Sequence, residues 1–295
     1  MKITLLGTGT PTPSLKKASS GYLIESGSDL IVMDCGPGTA RRLLETGRQS
    51  TEVTHLFLSH LHYDHCMEYP HLCLQRWDMG ADRIPDLKVY GPVPIQRMTE
   101  QLFGEDGVFG PDIESRVKHQ GSIDVFEKRG GVPPRLKPQP EVTEVVPGDT
   151  IEGDTWKITV GEASHVQPYL ECYGYRMDTA EGSFCYSGDS GGVCETIIQL
   201  AKGCDVLIHM NHYLSGTEPT ELYRQVCGNH IDTAHVAREA GVNTLVLTHM
   251  LNQIDQPGIR ENIIREISQI FEGNIIWGED LMQIPISSPK TAVMD

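Results

Sequence analysis

The stretch LSHLHYDHC, Leu58 to Cys66, places three histidines and an aspartate within six positions. It follows THLFLS, a run rich in strand-forming residues, so the cluster stands where a strand ends. Side chains two positions apart point to the same side of a strand, which applies to His60 and His62, and Asp64 and His65 follow at once. Imidazole nitrogens and carboxylate oxygens suit zinc and similar divalent ions. The cluster therefore predicts part of a metal site.

Three further residues supply the rest of a ligand set, because each closes a strand-like run. His165 ends WKITVGEASH, Asp189 ends SFCYSGD and His249 ends NTLVLTH. One such residue alone is ordinarily satisfied by hydrogen bonds, but together with the cluster they make a set of seven nitrogen and oxygen ligands. That set is enough for two divalent ions that share one carboxylate. Zinc is the expected metal, with manganese and iron as alternatives, because such sites accept these ions according to supply.

The composition limits the class of protein. The chain has 295 residues, 39% of them apolar, which allows one large α/β domain or two small ones. Its apolar runs are shorter than the roughly 18 residues that a membrane helix needs, so no membrane partner is expected. The net charge of −16 argues against a nucleic acid as partner, since phosphate contacts need a basic surface. Eight cysteines without a C-x-x-C pair are typical of buried thiols in the cytoplasm.

Strand and helix signals alternate in both halves of the chain, which predicts two β-layers covered by helices. The pattern weakens between Val117 and Pro140, where four prolines, three glycines and five Lys or Arg occur against two Asp or Glu. We expect a mobile loop or flap here, within an inserted region of about residues 105–140. Folded over the metal site, it would form a pocket for a small anion. The alternative is a solvated loop or a dimer contact.

The ligand pattern resembles that of the metallo-β-lactamase superfamily, and within it the ribonuclease Z-like branch. The residues that carry the resemblance are H-x-H-x-D-H at His60–His65, followed by His165, Asp189 and His249 at strand ends. LGTGTPTPS near the start, DCGPGTARRL with Asp34, and SGDS around Asp189 extend it from about residue 1 to 285. The resemblance implies an α/β fold, an αββα sandwich, formed as a single domain over residues 1–295.

The resemblance also implies a role for each of these residues. One metal ion would lie on His60, His62 and His165. The other would lie on Asp64, His65 and His249, with Asp189 bridging the two. A metal-bound hydroxide would attack the substrate, with Asp64 also accepting a proton and His212 or His230 donating one. Asp34 would orient a ligand histidine. A substrate pocket would include Tyr63, Met210 and Asn211.

Some features depart from ribonuclease Z. Asp189 follows His165 by 24 positions, too few for the glycine-rich arm that grips tRNA in that family. Met210, in HMNHYL, stands where the family has a glutamate, and the family's H-S-T-A becomes His230-Ile-Asp-Thr-Ala, one residue longer. These departures favour a hydrolase of small molecules, similar to arylsulfatase- or phosphodiesterase-like relatives without the arm. Its substrate would be a sulfate ester, phosphodiester, carboxylic ester or lactone. A ribonuclease Z-type endonuclease that processes tRNA 3′ ends is the alternative, and a homodimer is expected by analogy.

Overall fold

A computed structural model describes residues 1–286, which form two β-sheets of seven strands each. The predicted single domain reaches residue 295, so its last residues, 287–295, lie outside the described part. The first sheet contains β1 (Lys2–Gly7), β2 (Gly21–Ser26), β3 (Asp29–Cys35), β4 (His55–Phe57), β5 (Lys88–Gly91), β6 (Glu141–Glu144) and β14 (Gln283–Ile284). The second contains β7 (Thr150–Glu152), β8 (Trp156–Glu162), β9 (Tyr173–Thr179), β10 (Gly182–Tyr186), β11 (Val206–Met210), β12 (Thr244–Thr248) and β13 (Asn274–Trp277).

Each sheet joins a parallel half to an antiparallel half. The strand order is β14-β1-β2-β3-β4-β5-β6 in the first sheet, where β3 to β6 are parallel. The order is β13-β12-β11-β10-β9-β8-β7 in the second, where β10 to β13 are parallel. Parallel strands all end at the same edge of a sheet, so residues that follow them are brought together. This edge is where polar side chains from distant parts of the chain can meet.

The helices lie between these strands along the chain. Their bounds are α1 (Thr39–Glu45), α2 (Tyr63–Cys66), α3 (Tyr69–Gly80), α4 (Ile95–Phe103), α5 (Gly110–Lys118), α6 (Gln120–Lys128), α7 (Glu195–Ala201), α8 (Glu221–Val226), α9 (His230–Ala240) and α10 (Ile259–Ser268). A short 3₁₀ turn covers Ser50–Glu52. Within residues 1–286, the helices lack the combination of length and apolar character needed to span a bilayer.

The central strands, such as β11 and β12, are buried on both faces, which produces the layers. In β11, Val206 and Ile208 point into an apolar core that residues of both sheets share, such as Ile24 of β2. Leu207, between them, points the other way, into a core covered by α7, α9 and α10. A third apolar cluster lies under α1, α3 and α4 on the outer face of the first sheet, with Leu43 among its members. These layers confirm the predicted αββα sandwich.

The region of residues 105–140 differs from the irregular loop that the sequence predicts. Residues 110–118 form α5 and residues 120–128 form α6, and each helix buries one large apolar side chain, Ile113 or Phe126. Each helix has nine residues and a single buried apolar side chain, so the sequence shows no hydrophobic periodicity from which a helix could be predicted. Proline and glycine, which suggest a loop, stand near their ends.

The remaining residues of this region, 129–140, are irregular but held to α3. Arg129 and Arg135 both contact the carboxylate of Asp78, and Trp77 Nε1 donates to the Leu136 carbonyl oxygen at 2.9 Å. Both partners lie near the C-terminal end of α3, whose 12 residues extend ~18 Å from the histidine cluster. These contacts place the segment at the far end of α3, so it does not fold over the metal ligands as the sequence suggested.

Candidate metal centre

The predicted ligands all follow strands at one edge of the two sheets. The histidine cluster begins three residues after β4 and runs into α2. His165 stands three residues beyond β8, Asp189 three residues beyond β10, and His249 directly after β12. His249 has a φ of 55°, in the left-handed region that non-glycine residues seldom adopt. The surrounding structure therefore holds the backbone of His249 in a conformation that a histidine would otherwise avoid.

The structure brings all seven predicted ligands into two groups. Within each group, one nitrogen or oxygen atom per residue lies within 4.8 Å of every other. The first group contains His60, His62, His165 and Asp189. The second contains Asp64, His65 and His249. This division is the one that the family resemblance implies, and six of the seven residues are buried.

Asp189 lies between the two groups. Its carboxylate oxygens are 3.5 Å from His65 Nε2, 3.4 Å from His249 Nε2, 3.7 Å from His165 Nε2 and 4.0 Å from His60 Nε2. The first two nitrogens belong to one group and the last two to the other. One carboxylate is thus within reach of cations held by either group.

The histidine rings are oriented by contacts on their outer sides. Four of the five have Nδ1 within hydrogen-bonding distance of a partner, which leaves Nε2 facing the centre. The contacts are His60 Nδ1 to Ser59 Oγ (3.0 Å), His65 Nδ1 to Asp34 Oδ2 (2.7 Å), His165 Nδ1 to the Val226 carbonyl oxygen (2.5 Å) and His249 Nδ1 to His212 Nδ1 (3.1 Å). His62 instead directs Nδ1 inward, 2.9 Å from His60 Nε2. Outer partners of this kind fix the tautomer of metal-binding histidines.

Asp34 is the most connected of these outer partners. Its carboxylate accepts hydrogen bonds from the Ser59 backbone N–H at 2.7 Å, the Ser59 hydroxyl at 2.7 Å and the Tyr186 hydroxyl at 2.6 Å, besides its contact with His65. Its φ is 55°, like that of His249. The carboxylate is fully buried and its position is fixed from several sides, so it holds the imidazole of His65 in one orientation.

The electrostatics of the site favour bound positive charge. Burial opposes ionisation of Asp189, but the neighbouring His249 and His65 hold the pKa of its carboxyl well below the usual range. Burial would also lower the pKa of His65, yet Asp189 and Asp34 raise it well above its usual value. Burial and the adjacent His65 keep the pKa of His60 well below its usual value. Asp189 and His60 are thus in the protonation states that bind metals, a charged carboxylate and a neutral imidazole, while the raised pKa of His65 reflects the negative charge that a cation would meet here.

The residues fit two divalent cations. Five imidazoles and two carboxylates are donors of the type that zinc and related ions accept. His65 Nε2 is buried and has no hydrogen-bond partner within residues 1–286. A buried polar atom without a partner is costly, so this nitrogen indicates a missing ligand. A cation would satisfy it and hold apart nitrogens that otherwise face one another.

The other predicted site residues are divided between the centre and its surroundings. His212 contacts His249. Burial is the larger cause, and the nearby His249 the smaller one, of the lowering of the pKa of His212 to about 4. His230 lies elsewhere: its Nε2 is 2.7 Å from Glu266 Oε2 and its Nδ1 accepts from the Ser215 N–H at 3.3 Å. Both of its nitrogens are therefore used to join α9 to α10 and to the loop after β11, which argues against the predicted role of His230 as a proton donor.

The three predicted pocket residues also differ from one another. Tyr63 is about half exposed, and its hydroxyl donates to the Pro11 carbonyl oxygen at 3.2 Å. Met210 is buried, and its Sδ accepts from the Gly228 N–H at 3.4 Å. Asn211 is buried with neither amide atom paired to any described residue. Only Tyr63 is thus presented to solvent.

Comparison with known proteins identifies the family. A model for the "Beta-lactamase superfamily domain" matches residues 30–250. The chain belongs to the metallo-β-lactamase superfamily. A ribonuclease Z from Mycobacterium sp. (strain KMS) is 30% identical over 292 residues, which cover 97% of this chain and 96% of that relative. This match places the chain in the ribonuclease Z-like branch of the superfamily and among its hydrolases.

Solved structures of this superfamily agree with the fold. The metallo-β-lactamase fold protein YhfI from Bacillus subtilis has a TM-score of 0.74 and 19% identity, over 96% of this chain and 98% of that one. The short form of human tRNase Z has a TM-score of 0.69 and 19% identity, over 97% of this chain and 100% of that one. At this level of identity, the likeness concerns the fold alone.

The expectation that nucleic acid is not a partner is wrong, because a ribonuclease Z matches the chain over nearly its whole length. The net charge of −16 counts side chains only, whereas two divalent cations would add positive charge at the metal centre. The short interval between His165 and Asp189 did not exclude a nucleic acid either, since a ribonuclease Z matches 97% of this chain despite it. Net charge and one interval were too coarse to exclude a polyanion.

Sequence reasoning missed several residues that orient the ligands. Ser59 and Tyr186 both donate to Asp34, and the carbonyl of Val226 accepts from His165. Ser59 directly precedes the cluster and Tyr186 ends the strand before Asp189, so their places along the chain were a usable signal. A backbone carbonyl from a different segment, such as that of Val226, leaves no trace in residue types.

Proposed function

We propose that this protein is a metal-dependent phosphodiesterase that cleaves RNA in the manner of a ribonuclease Z. The observation that carries the proposal is the 30% identity to a ribonuclease Z along 97% of this chain. The two ligand groups that share Asp189 support it, because paired metal ions suit the in-line displacement of a phosphodiester. The named relatives include no enzyme described as acting on a sulfate ester, carboxylic ester or lactone.

His60, His62, His165 and Asp189 would hold one divalent cation, and Asp64, His65 and His249 with Asp189 would hold the other. Bound there, the two ions supply Lewis-acid activation of water and neutralise charge on the phosphoryl group. The protein contributes fixed ligand orientations, because the outer contacts at Nδ1 direct four imidazoles inward. Asp64, whose Oδ2 is 3.2 Å from His249 Nε2, is the carboxylate that we assign to accept a proton from water.

His212 takes the role of orienting His249. With His249 Nε2 directed to a cation, its Nδ1 carries the proton and donates it to His212 Nδ1. His212 then carries its own proton on Nε2, where it can donate to a substrate oxygen. We therefore keep His212, and not His230, as the histidine that contacts substrate.

We also propose zinc as the resident metal, with manganese and iron as alternatives for the same nitrogen and oxygen donors. Because ligands come from strands of both sheets, we propose one functional domain over the whole chain. The eight cysteines are buried and free, which supports a reducing compartment, the cytoplasm. A homodimer stays a prediction.

The test is a substrate panel with protein loaded separately with zinc and manganese. It contains a precursor tRNA with a 3′ extension, bis(p-nitrophenyl) phosphate, p-nitrophenyl sulfate and p-nitrophenyl butyrate. We expect cleavage of the RNA and of the phosphodiester, both lost on addition of a chelator. Faster turnover of the sulfate or carboxylic ester than of both phosphodiesters would contradict the proposal.

A further inference from the structure

A mostly apolar cavity of about 530 Å³ lies beside the candidate metal centre. Three segments form its wall: the loop after β11 with Tyr213 and Leu214, helix α8 with Tyr223, and the loop after β12 with Leu251 and Ile254. Among residues 1–286, the lining includes no Asp, Glu, Lys or Arg. Its volume lies within the range of roughly 300–1,000 Å³ that is typical of small-molecule sites. It is therefore large enough for a ring system and unsuited to a charged group.

The cavity adjoins the metal ligands through one imidazole. The ring of His212 lies 5.2 Å from that of His249 and 6.4 Å from that of Tyr223, measured between centroids. The backbone N–H of Leu251 donates to the His212 carbonyl oxygen at 3.3 Å, so the loop after β12 is also attached to His212. A group attached to a phosphate at the centre would therefore meet this cavity first on the His212 side.

Two tyrosines form the aromatic part of the wall. The rings of Tyr213 and Tyr223 are 5.1 Å apart and tilted by 58°. Tyr213 is buried, and its hydroxyl accepts from Asn229 Nδ2 at 3.2 Å, so its ring is fixed. Tyr223 is partly exposed at the start of α8, where its backbone N–H is capped by the Thr220 hydroxyl at 3.1 Å. The wall is thus prearranged and has one accessible aromatic ring.

We propose that this cavity binds the nucleobase of the nucleotide next to the scissile phosphate, an inference that rests on the proposed phosphodiesterase function. Stacking on an aromatic side chain suits every base, because each has a π-face. Gln253, also in the lining, offers an amide donor and acceptor for the base edge. The described lining offers a phosphate or sulfate no cationic partner, so the neutral part of the substrate is the group that fits.

The test compares two phosphodiesters with the same leaving group, thymidine 5′-(p-nitrophenyl phosphate) and methyl p-nitrophenyl phosphate. We expect the protein to prefer the nucleoside ester, and Tyr223→Ala to reduce kcat/KM for that ester by about 5- to 150-fold. Because the methyl ester has no base, its kcat/KM should fall less in Tyr223→Ala than that of the nucleoside ester, and Tyr223→Phe should keep the preference. Leu222→Ala is the matched control, because Leu222 is exposed on the same helix and outside the cavity.

Saturation-transfer NMR with free thymidine and deoxyribose separates failure of this inference from failure of the proposed function. Saturation of the base protons that Tyr223→Ala abolishes supports the cavity even if no phosphodiester is cleaved. Leu251→Ala serves as a second variant should Tyr223→Ala not fold. Hydrolysis of both esters with equal kcat/KM and no saturation of thymidine would overturn the inference. So would a Tyr223-dependent preference for octyl p-nitrophenyl phosphate over the nucleoside ester, which would assign the cavity to an alkyl chain.

Discussion

The groups around Asp189 and those around Asp78 are both dense clusters of ionisable side chains, but within residues 1–286 only the first presents a buried metal-ligand atom without a partner. Asp78 is surrounded by three guanidinium groups, with nitrogen to oxygen distances of 3.1 Å to Arg116, 2.8 Å to Arg129 and 2.7 Å to Arg135. At Asp189, by contrast, imidazole nitrogens face one another and His65 Nε2 has no partner in the described chain. Carboxylate oxygens that are already paired with guanidinium groups stabilise the fold, whereas an imidazole nitrogen without a partner can bind a cation.

The difference also explains the basic composition of residues 117–140. Arg129 and Arg135 are both engaged with Asp78, and the Arg135 guanidinium lies 4.1 Å above the ring of Trp77 and 5.2 Å from that of Phe126. These contacts fasten α6 and the following segment to α3. Local excess of arginine therefore reflects packing here, and the free charge available to a ligand is much smaller than the residue count suggests.

The largest effect is expected from removing Asp189, which tests whether its cluster binds metal. Asp189→Ala takes away the carboxylate that both ligand groups share, so we expect loss of bound metal and a fall of at least about a thousand-fold in phosphodiester hydrolysis. Metal content by mass spectrometry and initial rates measure the two effects. His71→Ala is the control, because His71 is 60% exposed and outside both groups. Full metal content in Asp189→Ala would refute the shared-carboxylate arrangement.

Removing Asp78 should lower the stability of the protein and leave its metal content and activity intact. Asp78→Ala leaves the buried Arg135 without its carboxylate, which we expect to lower the free energy of unfolding by about 3 kcal/mol. Metal content and kcat of the folded protein should stay within about two-fold of the parent, since Asp78 lies about 14 Å along α3 from its first residue, Tyr69, and the histidine cluster precedes that residue. Urea denaturation measures the stability. Asp112→Ala, which breaks only an exposed pair with Arg116, should cost no more than about 1 kcal/mol.

The sequence was most informative where chemistry and position coincide. His60, Asp189 and His249 could be predicted because their residue types are unusual at strand ends, and parallel strands bring such ends together. The helices α5 and α6 could not, because Ile113 or Phe126 alone gives no periodicity. Nor could the outer contacts of the ligands, since a carbonyl oxygen depends on the backbone path and not on the residue type. The partner class was misjudged because net charge describes the whole chain and catalysis depends on a few atoms.

A smaller effect is expected when a ligand is kept but its orientation is loosened. Asp34→Asn removes the charge that holds His65 Nδ1, and should weaken metal binding by about 10- to 100-fold. Asparagine tolerates the left-handed backbone at this position, so the substitution tests the carboxylate and not the turn. Competition with a fluorescent chelator gives the affinity. Asp29→Asn, at the other end of β3 and bonded to Trp156 Nε1 at 2.8 Å, should leave it unchanged; equal affinities for both variants would contradict the role of Asp34.

The smallest effect concerns the basic charges that α6 and its following segment leave unpaired. Lys128 and Lys137 are exposed and form no ion pair within residues 1–286. If this region only packs against α3, the double variant Lys128→Ala/Lys137→Ala should bind precursor tRNA within about two-fold of the parent, with the same dependence on salt. Each lysine that contacts a phosphate would instead reduce the slope of log affinity against log salt by about 0.7–0.9. Filter binding between 50 and 200 mM salt distinguishes the two cases. A reduced slope would show that this region belongs to the RNA-binding surface, and that its basic residues, like the metal centre, contact the substrate.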